Sequence, residues 1–177
     1  MNNASPYTLR PAAVDDAAAV ARLGHDSFVA AFGHLYRAED LHAFLASAYA
    51  EDKVAGEIAD PAYLHCLAVD AAGALSGFIK LSAPSCFADH SDAARPIALH
   101  QLYCDPARTG AGIGAALMDW GLAQARARGH DAVQLSVWAE NFGAQRFYQR
   151  YGFSKIADID FWVGSHRDDE LLYELRI

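Results

Sequence analysis

"CDPARTGAGIGAALMDWGLAQA", Cys104 to Ala125, joins an apolar run to a helical repeat through three alternating glycines, Gly110, Gly112 and Gly114. Glycine in or beside a helix costs roughly 0.5–1 kcal/mol relative to alanine, so a cluster of this kind needs a reason. Upstream, "PIALHQLYCD" (Pro96–Asp105) reads as a strand. Downstream, Ile113, Ala116/Leu117, Trp120 and Ala127 keep helical spacing and predict a helix over 113–128 with those residues on its core face. "DAVQLSVWAE" (Asp131–Glu140) is then a buried strand. The glycines follow a strand and open a helix within one β-α-β unit.

Working outward, "YTLRPA" (Tyr7–Ala12) reads as a strand, followed by a helix from Val14 to Phe32 with Asp15 and Asp16 at its positive end. Ala38–Ala50 is a second helix, and Glu51–Pro61 a short third, stopped by Pro61. The period then changes to two: Ala62–Asp70 and Ala74–Ala83 form a hairpin about "AAG". Pro84–Arg95 is polar and reads as a flexible loop. Asn141–Tyr151 is a short helix ending at Gly152, and two strands, "FSKIADIDFWVG" and "DELLYELRI", close the chain. The order is β-α-α, a β meander, then β-α-β-α-β-β, an α/β (α+β) arrangement.

A length of 177 residues with 53% hydrophobic content fits one domain, 1–177, with a full core. No stretch reaches the ~18 apolar residues of a membrane span, and the N-terminus lacks an apolar leader, so a cytoplasmic protein is expected. The net charge of −8, with dispersed Lys and Arg, argues against nucleic acid and weakly favours a cationic small molecule. Cys66, Cys86 and Cys104 show no C-x-x-C pair and read as free thiols. The histidines show no metal-ligand spacing, so no metal is expected.

Three readings of the glycines remain: a tight strand-to-helix turn; a dinucleotide fingerprint, Gly110-x-Gly112-x-x-Ala115; or an anion cradle at a helix N-terminus. The second fits poorly, because the motif follows an antiparallel meander and the next strand ends far beyond the usual acidic position. No Gly-Lys-Ser/Thr follows, so a triphosphate is not expected.

"LSVWAENFGAQRFYQRYGF" (Leu135–Phe153) lies downstream. Its Leu135, Val137, Asn141, Ala144, Phe147, Tyr148, Gly152 and Phe153, with Leu102, Cys104, Gly112 and Gly114 before them, resemble the pattern of the GNAT superfamily of acetyl-CoA-dependent N-acetyltransferases. The element order is also that family's order. Within it, "DSFVAAFGHLY", "LHAFLASAY", "LHQLYCDP" and "VWAEN" look closest to polyamine acetyltransferases of the PaiA type. The resemblance implies a mixed, largely antiparallel sheet with helices on both faces.

It also implies roles. Backbone amides of Gly110, Ala111, Gly112, Ile113, Gly114 and Ala115 would bind the pyrophosphate of acetyl-CoA, to which the Thr109 hydroxyl could also donate. Thr109 stands where the family has Gln or Arg, with Arg108 just before it. The pantetheine arm would pair with Leu102, Tyr103 and Cys104. Asn141 would bond its amide, or cap the following helix. Tyr148 would protonate the leaving thiolate, or stand as a core-edge tyrosine.

An alkylamine of pKa ~10.4 must lose its proton at a cost of about 4.6 kcal/mol at pH 7, so a base should help. Histone-type members of the family carry a Glu where this chain has Ala98; His100, two residues along, is the candidate base, or a structural histidine. Phe28, Phe32, Tyr36, Trp138 and Trp162 could wall the acceptor site, with Glu39, Asp40 and Glu140 as its carboxylates and the 84–95 loop at its flank. The expected function is acetyl transfer from acetyl-CoA to a small amine, a polyamine included, by a protein that could form a homodimer. The alternatives are a protein N-terminal or lysine acetyltransferase and a non-catalytic acyl-CoA sensor.

Overall fold

The computed structural model describes residues 7–108 and 110–177. Seven strands form one sheet: β1 (Tyr7–Pro11), β2 (Tyr63–Asp70), β3 (Leu75–Ser82), β4 (Pro96–Cys104), β5 (Ala132–Trp138), β6 (Ser154–Val163) and β7 (His166–Arg176). Their order is β1-β2-β3-β4-β5-β7-β6, and only β4 and β5 run parallel. This is the mixed, largely antiparallel sheet that the sequence implied.

Helices α1 (Ala17–Phe32), α2 (Ala38–Ala48) and α3 (Glu51–Ala59) cover one face; α4 (Ile113–Ala127) and α5 (Phe142–Arg150) cover the other. Strand alternation assigns the residues. Cys66, Ile79, Leu81, Ile97, Leu99, Val133 and Leu135 pack toward α4. Leu67, Val69 and Phe78 meet α1 and α3. A smaller aromatic cluster, with Phe28, Phe44 and Phe161, joins α1 and α2 to β6.

The core face of α4 is rotated from expectation. Leu117, Met118, Gly121, Leu122 and Ala125 are buried, whereas Ala127 is exposed and Trp120 only half-buried. Alanines populate every face of this helix, so the periodicity leaves its phase open. The backbone settles it: α4 lies so close to β3 that a Cβ on Gly121 would sit 2.8 Å from Ile79.

The 84–95 loop is pinned more firmly than its composition suggests. The Ser85 hydroxyl donates to Gln134 at 2.6 Å, and the Gln134 amide donates to Glu174 at 2.8 Å and Ser91 at 3.2 Å. Among the described residues, no helix is long and apolar enough to cross a membrane.

Candidate active site

The sheet parts at its centre. β4 and β5 are paired only from Pro96–Ala98 to Ala132–Gln134. Beyond that, β4 stays with β3 and β5 with β7. The β5-facing edge of β4 is then without a strand, leaving backbone groups able to pair with an extended chain. A cleft of about 680 Å³ follows the separation.

His100, Leu102, Tyr103, Cys104, Asn141 and Tyr148 all line this cleft. Asn141 fulfils its capping reading as well, its side-chain oxygen accepting from the Ala144 N–H at 3.1 Å. Tyr148 packs edge-on against Phe153 and Phe147. Burial, with Tyr103 and Cys104 nearby, raises its pKa, so the phenol keeps its proton. Burial pushes the Cys104 thiol up to about 11, which leaves it un-ionised and a poor nucleophile. Tyr103 turns to the α1 side, edge-on to Phe78, with its hydroxyl 3.4 Å from that of Tyr49.

His100 occupies a β-bulge: Leu99 pairs with Leu81 and Gln101 with Lys80, leaving His100 between them. Its Nε2 lies 2.7 Å from the Ser82 hydroxyl. Desolvation, then the Lys80 cation, push its pKa down to about 4, so the ring is neutral at pH 7.

The glycine loop lies outside the cleft lining, past Cys104 and Pro106. Gly110 and Gly112 have φ of +83° and +77°, left-handed conformations that L side chains avoid, so the turn alone accounts for these two. Gly114 is different. A Cβ there would meet only Cys104 Sγ at 3.6 Å, an ordinary contact, so no described protein atom demands glycine. The first bond into α4 runs from Ala116 N–H to Gly112 O at 3.0 Å, so the amides of Ile113, Gly114 and Ala115 precede the helical ladder. The Ile113 side chain is buried in the core, which leaves only its backbone for a ligand. Ala111 is exposed, and Ala115 accepts the Tyr151 hydroxyl at 3.1 Å. Arg108 is engaged with Asp70 at 2.6 Å and Ser76 at 3.1 Å. Thr109 lies outside the described residues.

The acceptor end needs correction. Phe28, Phe32, Tyr36 and Trp138 line the cleft, but Trp162 does not and is 56% exposed. Glu39, Asp40, Glu140 and the 84–95 loop are also outside its lining. Asp40 instead accepts the Ser165 hydroxyl at the β6–β7 turn. The carboxylates that do face the cleft are Asp168 and Glu170, which the sequence reading missed. Their signal was present: with period two, "DDELL" puts Asp168, Glu170 and Leu172 on one face of an interior strand. Asp168 is 6% exposed and accepts the Tyr36 hydroxyl at 2.5 Å, with His166 Nε2 at 3.1 Å. Burial raises the Glu170 pKa; a hydrogen bond from Ser136 opposes this and Asp168 adds to it.

Comparison with known proteins gives the family and the fold. The acetyltransferase (GNAT) family matches residues 22–153. An uncharacterized N-acetyltransferase from the pepI 3′ region of Lactobacillus delbrueckii subsp. lactis is 26% identical over 85% of this chain and 86% of its own length. The mycothiol acetyltransferase of Clavibacter sepedonicus is 38% identical over 60% of this chain, but the match spans only 32% of that protein. The crystal structure of the PaiA N-acetyltransferase of Thermoplasma acidophilum, in complex with coenzyme A, superposes with a TM-score of 0.78 at 22% identity, covering 97% of this chain and 99% of that one.

Proposed function

The chain belongs to the acetyltransferase (GNAT) family and is an acetyl-CoA-dependent N-acetyltransferase; from that premise we propose that its acceptor is the primary amine of a small molecule, a polyamine being the first candidate. The observation that carries this reading is the parted β4–β5 seam. Tyr148 and Asn141 line it from the α5 side, and an aromatic, carboxylate-bearing hollow lies toward α1 and α2. One substrate can approach from each face.

The donor side uses groups already described. The amides ahead of the α4 ladder face a helix N-terminus suited to a pyrophosphate, and the absent side chain at Gly114 leaves room for it. The free edge of β4 from Leu102 to Cys104 suits the amides of a pantetheine arm, with Asn141 across the cleft. A backbone N–H near Leu102 would polarise the acetyl oxygen.

The free amine attacks the thioester carbon directly. The C–N bond forms, the C–S bond breaks, and the departing sulfur takes the phenolic proton of Tyr148. The amide nitrogen releases a proton that restores the phenol, so no acyl-enzyme is required and Cys104 stays a bystander.

The test is release of the free CoA thiol from acetyl-CoA across spermidine, simpler amines, and peptides with free termini or lysines. Turnover with small amines is expected; turnover confined to peptides, or none with any acceptor, overturns the reading. Tyr148→Phe should lower kcat about 10²-fold while CoA still binds. Unchanged turnover would remove Tyr148 from the mechanism.

A further inference from the structure

Resting on the small-amine reading above, we propose that Asp168 and Glu170 form a two-carboxylate diamine site. Glu170 takes the proton of the reacting ammonium, and Asp168 holds a second ammonium of the same acceptor.

Four observations converge on this site. Both carboxylates line the cleft from β7, on the α1–α2 face opposite α4. Among the described residues, neither is paired with Lys or Arg; Asp168 has Tyr36 and His166, and Glu170 has Ser136. Phe28, Phe32, Trp138 and Phe161 line the same cleft, and aromatic faces attract ammonium groups. Ser27 lines it too, is 8% exposed, and its hydroxyl has no partner among the described residues. A buried acceptor oxygen of that kind calls for a donor from outside the protein.

Spacing is compatible with a diamine. Asp168 and Glu170 are two strand positions apart on one face, so their backbones are separated by about 6.6 Å. That is close to the reach between the nitrogens of an extended four-carbon diamine. A monoamine can satisfy only one of the two carboxylates.

Glu170 is also better placed than His100 to serve as the base. Desolvation, then Lys80, oppose protonation of His100, with Glu57 offsetting part of the lysine's effect. Glu170 has Asp168 for a neighbour, which favours protonation and the approach of an ammonium, and burial raises its proton affinity further. The titratable groups around the pair are Asp168 on Glu170's own strand, with His166 at 3.1 Å from it, Tyr103 and His100 on β4, and Tyr36 and Tyr49 from the α1–α2 side. Lys53 and Lys80 stand on the β3–α3 side of the cleft. In the step itself, R-NH3⁺ gives one proton to the Glu170 carboxylate, the neutral amine attacks as above, and Glu170 later returns that proton to water.

The experiment compares n-butylamine with diamines of three to six carbons, on wild type, Asp168→Asn and Glu170→Gln. Wild type should favour 1,4-diaminobutane over butylamine by tenfold or more in kcat/KM. Asp168→Asn should raise KM for the diamine at least tenfold more than for butylamine. Glu170→Gln should lower kcat about 10²-fold near pH 7 for both, with the deficit shrinking as pH approaches the amine pKa, and Glu170→Asp should restore part of the rate. CoA binding reports that each variant is folded. Should Asp168→Asn fail that check, Tyr36→Phe replaces it; it removes the hydroxyl that orients the carboxylate, and a diamine-selective KM rise is again expected. Equal effects on monoamine and diamine, or a Glu170→Gln deficit independent of pH, would overturn the site while leaving small-amine transfer intact. Turnover with peptides alone would overturn both.

Discussion

Glu57 and Glu170 are two carboxylates drawn partly out of water beside the same cleft, and they keep opposite company. Glu57 meets Lys80 at 2.8 Å, with both side chains nearly buried, and the pair joins α3 to β3. Glu170 has a second acid, Asp168, for a neighbour, and no described Lys or Arg answers either one. A carboxylate locked to a lysine is architecture; Asp168, held by the Tyr36 hydroxyl and His166, and Glu170 have no fixed Lys or Arg among the described residues and leave room for a cation from outside. The contrast is what the proposed acceptor end of the cleft rests on.

The largest effect is expected from unpairing the matched wall. Lys80→Met leaves Glu57 without its cation and should destabilise the protein by about 3–5 kcal/mol, read from the denaturant midpoint. A loss below about 1 kcal/mol would mean that the pair is not a structural joint.

Acid tests the same wall by another route. His65 is buried, and its Nε2 has no partner among the described residues. Desolvation, then Lys80, push its pKa down to about 4. The unfolded chain therefore binds a proton that the folded chain refuses, and stability falls as pH drops from the ordinary histidine range, about 6.5, toward 4. His65 should account for up to about 3 kcal/mol of that fall. His100, depressed for the same reasons, adds to it with more solvent screening. Denaturation midpoints across this window should slope upward with pH in wild type, and His65→Gln should flatten the slope. An unaltered slope would show that His65 protonates freely in the folded state.

The smallest effect sharpens the contrast. Glu170→Gln removes like-charge repulsion from the unmatched wall and should leave stability unchanged or raise it by up to about 1 kcal/mol, even as activity falls. A clear drop in Tm would instead make Glu170 a structural partner.

The fold was largely legible, because strand and helix periods and the Pro and Gly stops are local signals. Asn141 and Tyr148 were read from one short strand–helix stretch, and both line the cleft. The acceptor wall was not legible, because it is assembled across the chain: Tyr36 and Asp168 bond across 132 positions. Glu39, Asp40 and Glu140 were candidates by position, yet none lines the cleft. The glycines fell between these cases. A turn explains Gly110 and Gly112, and only Gly114 still points beyond the protein.

The bulge at His100 can be seen as a change of reading frame within β4. Before it, Ile97 and Leu99 belong to the α4 core; after it, Leu102 and Cys104 do, and Gln101 and Tyr103 pass to the opposite face. One strand thereby serves a hydrophobic layer along its whole length while changing what it presents to the cleft halfway. Loss of the bulged residue would return β4 to plain alternation with the same faces, whereas keeping every residue and ironing out the bulge would exchange inside for outside over everything that follows. In this segment the extra residue is taken up by the kink, and the register on either side is that of a strand one residue shorter.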